Sequence, residues 1–413
     1  MDYKIADRAL APSGKKKIRW AKQYMPVLRL LEEKYRKEQP LAGTVISACL
    51  HLEAKTACLL ILLKDLGAKV TAAGSNPLST QDDICAALVE NGVSVFSRHG
   101  MTTEEYFENV RSALSVKPNI IVDDGADLVA TVHSEMRDLL PGIRGGSEET
   151  TSGVKRLKSM AGEGVLAFPM ISVNDAHSKY LFDNRYGTGQ SVMDGILRTT
   201  NMLVAGKNVV IAGYGWCGRG VAMRASAMGA RVIVTEIDPH RAFEALMDGY
   251  EVASMDDAAS RGDIFLTLTG NTRVIRREHF GKMKDGVLLG NAGHFDVEIC
   301  KPDLLDLSSS VEETRPGVET YILKDGRRIH LLGEGRLVNL ACADGHPIEI
   351  MDLSFALQLE SAVFLAKNSL KPGLYDVPEA IDRAVMEAKL ASLHIRLDRM
   401  TPEQEEYMKS WVE

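Results

Sequence analysis

The sequence lacks any apolar run long enough to cross a bilayer. Its longest, near residues 57–63, falls far short of the roughly 20 residues a spanning helix needs. Residues 1–19 mix charges with short apolar steps, so no secretory signal is expected. No CxxC pair occurs: Cys49, Cys58, Cys85, Cys217, Cys300 and Cys342 are scattered, most of them in apolar runs. That scatter favours buried free thiols in a reducing compartment over disulfides or a cysteine-built zinc site, and makes the cytoplasm the expected location. An excess of basic charge is also missing. With 49 Lys plus Arg against 56 Asp plus Glu, the net charge is −7, which argues against nucleic acid or an anionic membrane as the main partner while leaving a local basic pocket open. No internal repeat and no low-complexity tract occurs. What remains is a chain of 413 residues with 45% hydrophobic and 25% charged residues, enough for two or three domains with cores of their own.

What the chain does have is alternation. After an N-terminal helix at 25–37, strand candidates at 44–48, 69–73, 93–96 and 120–122 are separated by helical stretches at 53–65, 80–91 and 104–114. Short β-rich runs between amphipathic helices predict a parallel sheet covered on both faces. A second series starts at Lys207, with strand-like Asn208–Ala212 and Arg231–Thr235, further strands at 264–268 and 287–289, and helices at 218–228 and 241–248. Residues 186–203 between the two units look helical, and from Pro347 onward the chain turns helix-rich, at 350–366 and 378–393. The fold class expected is therefore α/β: two doubly wound parallel-sheet domains with a helical C-terminal tail.

The strongest single motif is Gly213-Tyr-Gly215-Trp-Cys-Gly218, directly after a strand and directly before a helix. Gly213 makes the tight turn, Gly215 lets the backbone approach a pyrophosphate, and Gly218 lets the helix pack on the strand, whose companion helix offers free N–H groups to the phosphates. Its partner is Glu236, at the end of the next strand and 23 residues after Gly213. A carboxylate there accepts from ribose hydroxyls and repels a 2′-phosphate, so NAD is favoured over NADP. The bland alternative is a glycine turn in a nucleotide-free fold.

Three polar clusters follow the expected strands of the first unit: His51-Leu-Glu53-Ala-Lys55-Thr56, Asn76-Pro-Leu-Ser79-Thr80-Gln81-Asp82 and Asp123-Asp124-Gly125-Ala-Asp127. Carboxyl ends of parallel strands line the ligand crevice, so all three fall on one edge. Adjacent acids after an apolar run, as at Asp123-Asp124, repel each other and imply a ligand or a task. Further clusters are Ser147-Glu148-Glu149-Thr150-Thr151, Asn174-Asp175-Ala-His177-Ser-Lys179, Phe182-Asp183-Asn184, Gly290-Asn291-Ala-Gly-His294-Phe-Asp296, and Asn339 with Gly345-His346-Pro347. Each alone reads as a solvated loop, cap or turn. Nothing around His133, His177, His279 or His330 suggests a role.

Taken together and in order, Ser79-Thr-Gln-Asp82, Asp123-Asp-Gly125, Ser147 to Thr151, Phe182-Asp-Asn184, Gly213-Tyr-Gly215, Gly293-His-Phe-Asp-Val-Glu298, Gly335-Arg-Leu-Val-Asn-Leu340 and Gly345-His-Pro347 resemble the S-adenosylhomocysteine hydrolase family, in its archaeal and thermophilic-bacterial branch. The resemblance covers the chain from about residue 20 to the end. It implies a substrate domain at 1–184, an NAD-binding Rossmann domain at 185–347, a return to the substrate domain at 348–376 and an oligomerisation tail at 377–413, with hinges near 186–203 and 344–350. It also implies a homotetramer, a nucleoside thioether as substrate, and no metal. The reaction implied is redox-neutral hydrolysis: oxidation of the ribose 3′-hydroxyl by bound NAD, loss of the 4′ proton, expulsion of homocysteine, water addition and return of the hydride.

By the same resemblance, Lys179 takes the 3′-hydroxyl proton, with a pKa lowered by burial or positive neighbours. Asp183 and Glu149 hold the ribose hydroxyls and orient Lys179. Asp124, His51 and His294 manage protons at the 4′ and 5′ carbons, with their division left open. Thr150 and Thr151 contact the nicotinamide ribose. Asn184, Asn271, Asn291 and Asn339 complete the cofactor set, and Thr80, Gln81 and His346 the substrate set, with His346 in the gating loop. Glu53 and Lys55 depart from the Thr and Glu or Gln of many relatives at positions facing the base, and Asp344 replaces an apolar residue. Lys55 is a pure donor, which suits the carbonyl of hypoxanthine better than the amino group of adenine. An S-adenosyl substrate leads and an S-inosyl substrate follows. A net-turnover NAD dehydrogenase and a non-enzymatic regulator are the readings from other classes.

Overall fold

The computed structural model describes residues 2–411; Met1, Val412 and Glu413, at the outer ends of the first and last expected segments, lie outside the described residues. Two sheets organise the chain. The first has seven strands, in the spatial order Ser94–Phe96, Lys69–Gly74, Val45–Leu50, Ile120–Asp123, Gly145–Glu148, Pro169–Ser172 and Gly373–Asp376, all paired in parallel. Its strands read as continuous apolar runs because they feed two cores at once. Ile46, Ala48, Leu50, Ile120 and Val122 enter one apolar cluster, while Cys49, Ala73 and Ile121, on the alternate positions, enter the other. Side chains alternate across a strand, so a sheet covered on both faces needs apolar residues at every position.

The second sheet repeats the plan. Glu251–Val252, Arg231–Thr235, Asn208–Ala212, Ile264–Thr267, Val287–Asn291 and Arg328–Leu332 are parallel neighbours in that order, with Val209, Ile211, Ile264 and Leu266 in one cluster and Val210 and Phe265 in the other. The expected all-parallel sheet needs one correction: Val318–Leu323 runs antiparallel to Arg328–Leu332 and to Ser308–Arg315, making the sheet mixed at that edge. The outermost strand is exposed and polar, so it carries no buried-strand signature to read.

Other elements also escape the sequence pattern. Ala11–Gln23 is helical. Gly145–Glu148 is a buried strand in which a Cβ on Gly146 would meet Met170 Sδ at 2.7 Å and Ile121 O at 2.8 Å, so close packing demands glycine where propensity speaks against a strand. Between the domains, Tyr180–Gly187 forms a π-helical turn that runs into the helix Thr188–Thr200. The helix Ile348–Lys367 then returns beneath the first sheet, buried along most of its length. Helix Glu379–Ser392 docks on it, and Asp382 accepts from the His177 and Ser178 N–H groups at 2.8 and 2.9 Å. From Leu393 to Trp411 every described residue is exposed. No helix among the described residues is long and apolar enough to cross a membrane, and all six cysteines are free, four of them buried.

Candidate functional site

In both sheets the chain order reverses between the strand that opens the unit and the fourth strand, and loops diverge there to leave a crevice. In the second sheet this point carries the glycine motif. Gly213 has φ +98°, a conformation that favours glycine. A Cβ on Gly218 would lie 1.9 Å from Gly213 O, whereas one on Gly215 would meet only Arg241 Nη1 at 3.8 Å. The first glycines therefore shape an open cradle, and the last lets the helix Trp216–Ala227 abut it, with no side chain capping that helix. Glu236 is anchored by the N–H groups of Tyr214 and Ile237, both at 2.7 Å. Asn339 Oδ1 is buried without a hydrogen-bond partner, an acceptor that the carboxamide N–H of a nicotinamide would satisfy. These residues fit NAD.

In the first sheet the reversal point carries side chains instead. His51 follows one of the flanking strands and Asp124 the other. His51 Nε2 lies 3.3 Å from Asp124 Oδ2, and His51 Nδ1 lies 2.7 Å from Ser79 Oγ. His294 arrives from the other domain with Nδ1 3.8 Å from Asp124 Oδ1. It is admitted because Gly125 has no side chain: a Cβ there would sit 2.5 Å from His294 Nε2. Burial pulls the His51 imidazole down to about 4 and lowers that of His294, and it raises the Asp124 carboxyl against the opposing charges of His294 and Lys179. The result is two imidazoles of lowered pKa around a carboxyl whose buried Oδ1 accepts no hydrogen bond. By donor type, these three residues could also hold a divalent cation of the zinc kind.

Lys179 forms the second cluster. Its ammonium donates to Asn184 Oδ1 at 2.8 Å and Asn174 Oδ1 at 3.4 Å, and lies 3.5 Å from Asp183 and 3.6 Å from Glu149. Here the expected lowering of its pKa is corrected. Burial does act to lower it, but the Asp183 and Glu149 carboxylates outweigh burial and leave Lys179 above the ordinary lysine value. For Asp183 burial is likewise outweighed, by Lys179 and His346, and the carboxyl sits well below the usual range. Glu149 goes the other way: burial pushes it up to about 7.

Two residues that sequence reasoning missed complete this cluster, both from the returning helix. Ser354 Oγ donates to Asp183 at 2.6 Å, and Gln358 Nε2 donates to Glu149 Oε2 at 2.6 Å. They sit more than 170 residues along the chain from their partners in a mostly apolar helix, so no local signal marks them. His346 lies 2.9 Å from Asp183 and 3.2 Å from Thr188 Oγ1.

The other expected site residues have the following partners. Thr80 bonds Ser97 at 2.9 Å, and Gln81 accepts from Lys17 at the surface, so it is Ser79 of that loop that reaches His51. Asn291 spends its amide on Gly293, Phe295 and Gly335 carbonyls and its oxygen on Thr267 and Gly293, bracing the loop that carries His294. Asn184 is committed to Lys179, Thr151 and Asn174. Thr150 caps the helix Thr151–Gly162, with its hydroxyl accepting from Gly153 N–H. Asn271 is exposed and lines a cavity of about 260 Å³ with Ser152, Phe295 and Glu298. Lys55 is buried, 2.8 Å from Glu53 Oε2, and donates to Asp344 O at 2.7 Å; the Asp344 carboxylate pairs with Arg198 at 2.7 Å.

Comparison with known proteins gives the family. A family model described as S-adenosyl-L-homocysteine hydrolase matches residues 2–141, and one described as S-adenosyl-L-homocysteine hydrolase, NAD binding domain, matches residues 184–345. The chain is 58% identical to an adenosylhomocysteinase of Thermococcus kodakarensis over 99% of this chain and 98% of that protein. It is 56% identical to an S-inosyl-L-homocysteine hydrolase of Methanopyrus kandleri over 100% and 98%, and 53% identical to an adenosylhomocysteinase of Aquifex aeolicus over 100% and 99%. The chain belongs to the S-adenosyl-L-homocysteine hydrolase family, with that family's NAD-binding domain built on the second sheet.

Proposed function

We propose that this enzyme hydrolyses S-adenosyl-L-homocysteine reversibly to adenosine and homocysteine. The observation that carries the proposal is the pairing of two buried clusters, Lys179 with Asp183 and Glu149, and Asp124 with His51 and His294, joined by the charge of Lys179 felt at Asp124. When bound, NAD supplies a hydride acceptor for the ribose 3′ carbon, and the ketone formed there acidifies the neighbouring 4′ C–H. The residues then have distinct tasks. Lys179 faces the 3′ oxygen, and Glu149, with its carboxyl raised to about 7, is the group beside it able to take up a proton near neutrality. Asp183, held ionised, orients Lys179 and His346. Asp124 and the two imidazoles handle protons at the 4′ and 5′ carbons, because a thioether leaves only once an adjacent carbanion can expel it.

A second reading, S-inosyl-L-homocysteine as substrate, is favoured by the buried Lys55 beside Glu53. An ammonium donates and cannot accept, which matches a base carbonyl. Relatives carry both names. Side-by-side release of free thiol from the two substrates decides between them. Lys55→Glu is expected to raise the adenosyl-to-inosyl ratio about tenfold or more; an unchanged ratio removes Lys55 from base reading. Accumulation of NADH with turnover would instead indicate a dehydrogenase. We further propose the division 1–184, 185–347, 348–376 and 377–413, and a cytoplasmic homotetramer. The exposed apolar side chains of the last segment, Leu397, Met408 and Trp411 among them, support its role as a subunit contact.

A further inference from the structure

Glu148 is a fully buried carboxyl that none of the steps above uses. It lies between the starts of two helices, Asp127–Ser134 and Thr151–Gly162. Its Oε1 accepts from Gly125 N–H at 2.9 Å, Thr150 N–H at 2.9 Å and Thr150 Oγ1 at 3.1 Å, and its Oε2 accepts from Ala126 N–H at 2.9 Å. Its register neighbour on the adjacent strand is Asp123. Asp123 in turn accepts from Asp124 N–H at 3.1 Å and Val129 N–H at 3.0 Å. One carboxyl thus ties the loop that presents Asp124 to the loop that presents Glu149 and Thr150. Gly153 leaves room for it, since a Cβ there would lie 2.1 Å from Glu148 Cδ.

We infer that Glu148 is a positioning residue that sets the spacing between Asp124 and the Glu149–Thr150 turn. Its readout in catalysis rests on the reaction proposed above, but its geometry does not. The four bonds are unequal, and this makes the role testable. In Glu148→Gln the amide keeps its oxygen where three donors converge, on the Oε1 side, and turns its NH₂ toward Ala126 N–H, two donors face to face. The bond from Ala126 is lost while those from Gly125 and Thr150 stay, so the Asp124 loop is loosened and the Thr150 turn is not.

The test uses the NAD-loaded enzyme. Backbone amide exchange is followed by mass spectrometry over residues 124–129 and 150–154. Two partial reactions are followed with adenosine: the rise at 340 nm from reduction of bound NAD, and exchange of the 4′ hydrogen with D₂O. For Glu148→Gln the expected result is amide exchange faster by on the order of tenfold at 124–129 with little change at 150–154. The 340 nm rise is kept, and 4′ exchange is slower by about 10²-fold. Equal loosening of both segments, an equal fall in both partial reactions, or no change in either overturns the inference. Gly153→Ala displaces the same carboxyl without altering its chemistry and is expected to slow 4′ exchange as well. If Glu148→Gln does not fold, a Gly153→Ala enzyme with unchanged 4′ exchange is enough to overturn it. A wild-type enzyme showing neither partial reaction defeats the proposed chemistry instead, and the amide exchange still judges Glu148.

Discussion

The two domains are built on one strand order and do opposite things with it. Each places its crevice where the chain reverses between the strand that opens the unit and the fourth strand. On the reading proposed above, the second domain meets its ligand with backbone: a left-handed Gly213, an open Gly215, the uncapped start of a helix, and one carboxylate, Glu236, fastened by the Tyr214 N–H of the glycine loop. On the same reading the first domain meets its ligand with side chains, and His51, Asp124, Glu149, Lys179 and Asp183 are all buried or nearly so. The lesson concerns what each ligand needs. A dinucleotide has to be held, and N–H groups with helix ends hold phosphate without any titrating group. A sugar has to be deprotonated at chosen atoms, which calls for titratable groups with shifted pKa values.

This contrast can be broken in order of expected effect. Lys179→Ala should lower thiol release by about 10³-fold or more and abolish the 340 nm rise with adenosine, while far-ultraviolet circular dichroism stays that of the wild type. Normal turnover would remove Lys179 from the chemistry. Gly218→Ala attacks the other domain at its backbone, with the new Cβ 1.9 Å from Gly213 O. It should cost about 1–3 kcal/mol of stability and weaken retention of NAD, measured by dialysis, by about 10²-fold, leaving the geometry around Lys179 intact. Full retention of NAD would show that the cradle tolerates displacement. Glu236→Ala should be milder, about tenfold in NAD affinity, with the preference over NADP reduced. An unchanged preference would mean that Glu236 serves only its loop.

The smallest effect expected is on stability against pH, and it belongs to the side-chain domain. Burial raises Asp123 from 3.8 to about 8. Between those values the folded chain keeps a proton that the unfolded chain has released, so stability falls as pH rises through that window. Glu148, Asp124 and Glu149 are raised too and add to the same slope. Asp123→Asn should flatten the fall in Tm between pH 5 and pH 8 by about a few degrees. A slope as steep as that of the wild type would show that Asp123 is ionised in the folded protein at neutral pH.

The parts of the fold written in local pattern were legible. Asn208–Ala212 and Arg231–Thr235 match their expected bounds, because the interior of a doubly covered strand is a continuous apolar run bounded by polar or glycine residues. Gly145–Glu148 was not legible, because its glycines serve close packing, Gly145 against Leu365 and Pro169 and Gly146 against Met170 and Ile121. The exposed edge strand Ser308–Arg315 was missed for the opposite reason, having nothing buried to show. In the site, Ser79 and Thr80 stand next to each other in sequence and reach different partners, His51 and Ser97, which no spacing rule resolves. The direction of the Lys179 shift was misjudged because burial can be inferred from sequence and the identity of the neighbours cannot.

By itself the sequence determined that two α/β units alternate, that one carries a dinucleotide turn with its carboxylate, and that titratable residues gather at strand ends. These follow from periodicities and short motifs whose physics acts within a few residues. Only the tertiary structure decided that Lys179 stays charged between two carboxyls, that His294 crosses from one domain to stand over Gly125 of the other, and that Ser354 and Gln358 return to hold Asp183 and Glu149. Charge and hydrogen bonding act through space over a few ångströms, and the folded chain alone brings those distant residues within that reach.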